Sequence, residues 1–210
     1  MSTIKTLGTA AAIIILTAYA ANAGSIELMA TGESSTSDIK ANGTIPGGIG
    51  FFTRNRQTLD YDSETVNPFS VIDVSYPLPL GDGFDALVEG QFTAGDSPDK
   101  RFGIQYFKKF GEEGKTGSAY ALVSKRFAMD PNTEIVVKGT YTPTLIGDLT
   151  LLTQWESALN LNGSDRNYAV QRVRAGLGYK GLSGGIGVDV STSAEGETEA
   201  GIGGFVSTSF

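Results

Sequence analysis

The stretch Phe84-Asp85-Ala86-Leu87-Val88-Glu89-Gly90-Gln91-Phe92-Thr93-Ala94 changes character at nearly every residue. Phe84, Ala86, Val88, Gly90, Phe92 and Ala94 share one parity; Asp85, Leu87, Glu89, Gln91 and Thr93 share the other. Successive side chains of an extended chain point to opposite faces, so this segment reads as a strand with one oily and one mostly polar face. The same split recurs along the chain. Ile135, Val137 and Tyr141 oppose Glu134, Lys138 and Thr140, and Leu149, Leu151 and Trp155 oppose Thr150, Gln154 and Glu156. Val173, Ala175, Leu177 and Tyr179 oppose Arg172, Arg174, Gly176 and Gly178, while Ile186, Val188 and Val190 oppose Gly185, Gly187, Asp189 and Ser191. No stretch beyond residue 24 sustains a helical period. About twelve strands are expected, near 25–32, 38–45, 48–59, 68–79, 84–95, 101–110, 117–127, 132–143, 147–158, 167–180, 183–193 and 199–210. The first two are the weakest, and Ser118–Phe127 is ambiguous in parity.

Composition narrows the function. The 210 residues are 40% hydrophobic and 19% charged, with 28 Gly and 7 Pro, too apolar for a disordered chain and too unperiodic for collagen. A net charge of −7 argues against general nucleic-acid binding, which needs a basic surface. Cysteine is absent, which excludes disulfide frameworks, Cys-based zinc sites and thiol catalysis. Histidine is absent too, removing Ser-His-Asp hydrolysis, HExxH metalloprotease chemistry and His-ligated haem. No cofactor is expected, and the balance moves from enzyme toward binding, transport or scaffold.

The N-terminus reads as an export signal. Lys5 precedes an uncharged stretch, Leu7–Ala20, that closes on the small-x-small pattern Ala21-Asn22-Ala23. Its apolar run falls short of the roughly 20 residues a membrane helix needs. Residues 1–23 are expected to be a cleaved signal peptide and 24–210 a single domain of strands. The latter allots about 15 to 16 residues to each strand with its connection, against the about 9–11 that a membrane-crossing strand takes.

Connections alternate as well. Tight turns are expected at Ile45–Gly48, Leu80–Gly83, Leu145–Asp148 and Lys180–Ser183, with Phe110–Gly117 somewhat longer. Generally longer, acidic loops are expected near 59–67, 95–100, 128–132, 158–166 and 193–198. Short turns at one rim and longer loops at the other are the habit of outer-membrane barrels. A soluble β-sandwich would also alternate, but its polar face meets water and is usually rich in Lys and Glu. Here that face is Gly, Ser, Thr and Gln with sparse charge. The oily face is read as carrying aromatics near strand ends (Tyr76, Phe84, Phe92, Tyr106, Tyr120, Tyr141, Trp155 and Tyr179), as the interfacial girdles of a membrane barrel require.

The last residues, Ile202-Gly203-Gly204-Phe205-Val206-Ser207-Thr208-Ser209-Phe210, end on an aromatic, with Val206, Gly204 and Ile202 on its side. This resembles the terminal strand of bacterial outer-membrane β-barrels, in which Phe210 would be the residue read by the barrel-assembly machinery. Thr208 departs from that pattern, where an apolar residue is usual. The resemblance implies an all-β, antiparallel up-and-down transmembrane barrel in the outer membrane, in contact with lipid and lipopolysaccharide.

Parity then assigns the lumen. Lys40, Arg54, Arg56, Arg101, Lys109, Lys138, Arg172 and Arg174 are expected inside, balanced by Glu27, Asp73, Asp85, Glu89, Glu134, Asp148, Glu156 and Asp189. The excess acid is assigned to the outer loops: Glu33, Asp38, Asp60, Asp62, Glu64, Asp96, Asp99, Asp130, Asp165, Glu195, Glu197 and Glu199. Such a mouth attracts cations within about a Debye length, about 8 Å at physiological salt; solubility and divalent bridging to lipopolysaccharide explain it equally well. The pairs Arg54/Arg56 and Arg172/Arg174, spaced i, i+2, form two ladders. Guiding carboxylated solutes would resemble the small twelve-stranded porins for acidic oligosaccharides. The other reading neutralises the ladders by neighbours, Asp73 for the first and Glu156 and Asp189 for the second. Inner-face glycines of the last three strands are expected to leave room for water. Gly181–Gly187 lacks a P-loop Lys, and Asp60–Glu64 lacks the length of a calcium loop. The expected function is a porin-like channel for passive diffusion of small hydrophilic solutes or ions. The alternative is a non-conducting structural or adhesive barrel, and homo-oligomers are compatible with both.

Overall fold

The computed structural model describes residues 23–45, 47–112, 114–128, 131–163 and 165–209. Phe210, Asp130 and residues 1–22, which hold all but the last residue of the expected export signal, lie outside the described residues. Twelve strands follow one another: β1 (Ala23–Thr31), β2 (Ser34–Ile45), β3 (Ile49–Asp60), β4 (Val66–Pro77), β5 (Phe84–Thr93) and β6 (Asp99–Glu112). Then come β7 (Lys115–Arg126), β8 (Asn132–Ile146), β9 (Leu149–Asn162), β10 (Asp165–Tyr179), β11 (Leu182–Thr192) and β12 (Thr198–Ser209). Each pairs antiparallel with its sequence neighbours, and β12 returns to β1 in the register Ser25↔Ser209 to Thr31↔Gly203. The sheet is therefore a closed barrel without an edge, the one β arrangement that can cross hydrocarbon.

The register sorts every strand into an inner and an outer row. Outside lie Leu28, Val74, Val88, Ile104, Val123, Leu177, Ile186, Ile202 and Val206, each about half exposed or more on an isolated barrel. Aromatic rings sit toward both ends of this band. Phe84 and Tyr106 stack with centroids 4.8 Å apart near the turn end, where Tyr76 and Tyr179 also project. Phe102 and Phe127, 4.7 Å apart, and Phe92 mark the loop end. Polar outward side chains satisfy one another: Asn55 Nδ2 donates to Ser70 Oγ at 2.8 Å, and Gln171 accepts from Trp155 Nε1 at 3.2 Å while donating to Ser157 Oγ at 2.5 Å. That local pairing lets them face lipid tails. Tyr120 departs from expectation. It points inward, its hydroxyl 3.4 Å from Gln105 Oε1, because β7 places Ala119, Ala121 and Val123 on the outer row. Both rows of this strand are partly apolar, which is why its parity is ambiguous in the sequence.

Strands run further into the connections than their hydrophobic patterns announce. The turns 147–148 and 180–181 hold two residues each, and the loops 61–65, 94–98 and 193–197 hold five. The connection 32–33 contracts to two residues, while 78–83, at the turn end, has six. The Lys180-Gly181 turn places both residues at positive φ (49° and 83°), the geometry whose twist suits a two-residue hairpin. Asp148, expected inside, belongs to a turn and lies 61% exposed beside Lys180. Among the described residues, no connection is long enough to fold inward as a plug.

An arginine at Val88, in the middle of the outward row of β5, should cost about 2–4 kcal/mol, since it would place a charge near the bilayer midplane. Equilibrium unfolding of Val88→Arg in lipid vesicles measures this; the same substitution would be nearly silent if that face met water.

Candidate functional site

The inner rows bring together ten ionisable groups as one cluster. Asp38 on β2, almost wholly buried, is its hub. Arg54 donates to it through Nε (3.0 Å to Oδ1) and Nη2 (2.7 Å to Oδ2), Arg56 through Nη2 (2.8 Å), and Lys40 Nζ lies 3.2 Å away. On the far wall Glu156 of β9 pairs with Arg172 of β10 and faces Lys138 across the β8–β9 ladder. Asp189 of β11 takes Arg174 Nη1 at 2.5 Å and lies 3.7 Å from Arg172 Nε; Arg174 Nε also reaches Glu27 of β1 at 3.2 Å. Six cations thus share four carboxylates.

One contact joins the two walls. Arg54 Nη1 lies 3.6 Å from Glu156 Oε1, and β3 and β9 stand six strands apart in a ring of twelve. The pair therefore spans the lumen along a diameter. Above it, toward the loop rim, a recess of about 220 Å³ is lined by Arg56, Arg172 and Asp189, with Glu33 and Glu199 at its mouth.

A second group occupies the wall formed by β4 to β8. Asp73 and Glu89 are direct cross-strand partners, and Gln91 Nε2 bridges Glu89 (2.8 Å) to Glu134 (3.3 Å). Tyr168 of β10 donates its hydroxyl to Glu134 at 3.0 Å. The cation here is Arg101, which donates to Ser124 Oγ at 3.0 Å and Asn132 Oδ1 at 2.7 Å and lies 3.5 Å from Glu89. The lumen is therefore close to neutral as a whole yet divided, with cations in excess on one side and carboxylates on the other.

The expected pore-lining residues Arg54, Arg56, Asp73, Glu89, Glu134, Lys138, Glu156, Arg172, Arg174 and Asp189 all lie on inner rows. Their partners differ from expectation in three respects. Arg54 and Arg56 meet Asp38, not Asp73: register sets Arg56 opposite Asp38 on one side and Phe69 on the other. Asp38 itself is a lumen residue, not a loop acid. It sits two residues from Lys40, whose inward assignment already implied its face, but the Ser-rich β2 hides the alternation. Finally, the inner glycines of β10–β12 do not leave open space. A Cβ at Gly187 would lie 3.0 Å from Arg174 Cδ and Nη1, so the guanidinium occupies that room, and its Cζ stands 6.0 Å from the buried Phe205 ring. Sequence reasoning also passed over Tyr168 and Leu122, inward residues whose surroundings depend on the pairing of strands.

The chain matches no protein-family model and no curated protein sequence. Among solved structures it is similar to the NanC porin (TM-score 0.51, 9% identity, 90% of this chain and 98% of that one). It is also similar to LpxR from Salmonella typhimurium (TM-score 0.50, 8% identity, 89% and 99%) and to the KdgM porin (TM-score 0.48, 11% identity, 90% and 99%). The likeness is one of fold: the closed twelve-stranded antiparallel barrel of bacterial outer-membrane proteins.

Asp38→Ala would strand three buried cations around a missing partner and is expected to destabilise the barrel by about 3–5 kcal/mol. Asp148→Ala, at an exposed pair, should change stability by at most about 1 kcal/mol. Urea unfolding of both variants in the same micelles gives the comparison.

Proposed function

We propose that this protein is a narrow, porin-like channel of the outer membrane for passive passage of small hydrophilic solutes or ions. The observation that carries the reading is a polar, self-neutralised lumen inside a closed lipid-facing barrel, entered through a recess at the loop rim. A side chain pair, Arg54–Glu156, sets the constriction. Side chains that meet across a lumen move on the nanosecond scale that small solutes need, whereas a folded plug would not. The acids at the mouth, Glu33 and Glu199 with Glu195 and Glu197 in the adjoining loop, raise the local cation concentration. Glu195 is held below the usual carboxylate range by hydrogen bonds from its own backbone amide and from Ser193, so it stays charged in mildly acid medium. The reading assigns catalysis no part in this lumen, whose spanning cluster commits Asp38, Glu156, Asp189 and Glu27 to guanidiniums.

The same diameter-spanning pair supports a second reading, a closed barrel that serves as a scaffold. Asp38 and Arg174 are almost wholly buried, as they would be in a lumen sealed by its own charges.

Single-channel recording in a planar bilayer separates the two. The channel reading expects a steady unitary conductance that rises severalfold in Arg54→Ala, with a reversal potential favouring cations under a salt gradient. Folded protein that leaves the bilayer sealed, in both wild type and variant, establishes the scaffold. Anion preference would show that the arginines, not the acidic mouth, govern passage.

A further inference from the structure

The four arginines of the spanning cluster are not equally satisfied. Arg54 gives three hydrogen bonds to Asp38, and Arg174 donates to Glu27, to Asp189 and to two backbone carbonyls. Among the described residues Arg56 donates only to Asp38, through Nη2, and Arg172 only to Glu156, through Nη1. A guanidinium carries five N–H donors, so most of those on Arg56 and Arg172 have no acceptor. It is these two arginines that line the recess of about 220 Å³ under the loop rim.

Register fixes where the charges of the recess stand. Arg172 lies directly across from Glu156 on β9 and from Asp189 on β11, and its guanidinium stays on that rung, paired with the first and 3.7 Å from the second. Arg56 is held the same way by Asp38, its partner across the β2–β3 ladder. On β12, Gly201 faces Asp189 and Glu199 faces Ser191. Glu199 therefore stands two residues nearer the loop rim than the Arg172 rung, about 7 Å at the rise of an antiparallel strand. Both mouth acids, Glu33 and Glu199, are exposed, and neither meets a cation among the described residues. One rung above Arg56 the wall carries the hydroxyls of Thr36 and Thr58, 3.2 Å apart.

A simple anion is drawn to these arginines but repelled at the mouth, and a simple cation the reverse. A solute with a carboxylate at one end and an ammonium about 7 Å away suits both levels, and an extended dipeptide has about that length. The recess is smaller than the roughly 300–1,000 Å³ of pockets for drug-sized ligands, so its solute is small. We propose that the recess is a binding site for short zwitterionic peptides, which enter it carboxylate first. The carboxylate accepts from Arg56 and Arg172, the ammonium rests against Glu199 and Glu33, and the threonine hydroxyls meet the peptide group. The site rests on the channel reading, because it lies at the entrance that reading gives to the lumen, and it names the solute admitted there.

Saturation-transfer NMR on the folded barrel in detergent, at neutral pH and low salt with empty micelles as the blank, tests this with three probes: glycylglycine, N-acetylglycylglycine and glycylglycinamide. Glycylglycine is expected to bind. The amide, which has lost the charge-assisted bonds to the arginines, should bind about tenfold more weakly. The acetylated form, which has lost the ammonium, should bind about fivefold more weakly, close to what an exposed ion pair supplies. Glu199→Gln, an exposed substitution that leaves the ion pairs of the lumen intact, should weaken glycylglycine and strengthen the acetylated form. Glycylglycine that does not bind, or that binds no better than either capped form, overturns the proposal; an acetylated form that binds equally well shows a plain anion site instead. Conductance of the same preparation is read separately. Peptide binding to a barrel that leaves the bilayer sealed removes the channel and keeps the site, whereas conduction without binding removes the site alone.

Discussion

Backbone pairing between β1 and β12 is the constraint from which the rest of this molecule follows. A sheet in hydrocarbon cannot leave a row of N–H and C=O groups unpaired, each of which would cost several kcal/mol. Closure satisfies the last row, and it forces every strand to divide its side chains between lipid and lumen. The outward row is then free to be apolar, as Val88, Ile104 and Ile186 are, and the few polar groups on it pair locally, as Asn55 does with Ser70.

The inner row has the opposite problem. Charges gathered into a confined space must neutralise one another, and they do so by geometry that reaches well beyond neighbouring strands. Asp38 gathers three cations, and Glu156 is approached from both walls. Arginine suits this work because one guanidinium reaches two carboxylates, as Arg174 does with Glu27 and Asp189. The acidic wall around Asp73 has a poorer supply of cations, with Arg101 beside Glu89. A barrel fold similar to those of the NanC porin and of LpxR leaves open what the lumen does, so function is argued from these side chains and not from the fold.

Alternation, the absence of Cys and His, and the spacing of turns were enough to read twelve strands, their closure into a membrane barrel and the inward direction of Arg54, Arg56, Arg172 and Arg174. These are local properties: a two-residue period is written in consecutive residues and survives any global arrangement. Direction is not legible where Tyr120 and Leu122 make both faces of β7 partly apolar, and the Ser-rich start of Ser34–Ile45 hides how early that strand begins, so Asp38 reads as a loop acid although Lys40 on the same face reads inward. Partners are another matter. Which acid meets Arg56 depends on register between strands, and the meeting of Arg54 with Glu156 depends on the ring closing so that β3 and β9 face each other. Residues 102 positions apart carry no sequence signal of that contact; only the closed barrel brings them within 3.6 Å, because the diameter of the lumen, and not the order of the chain, decides who faces whom.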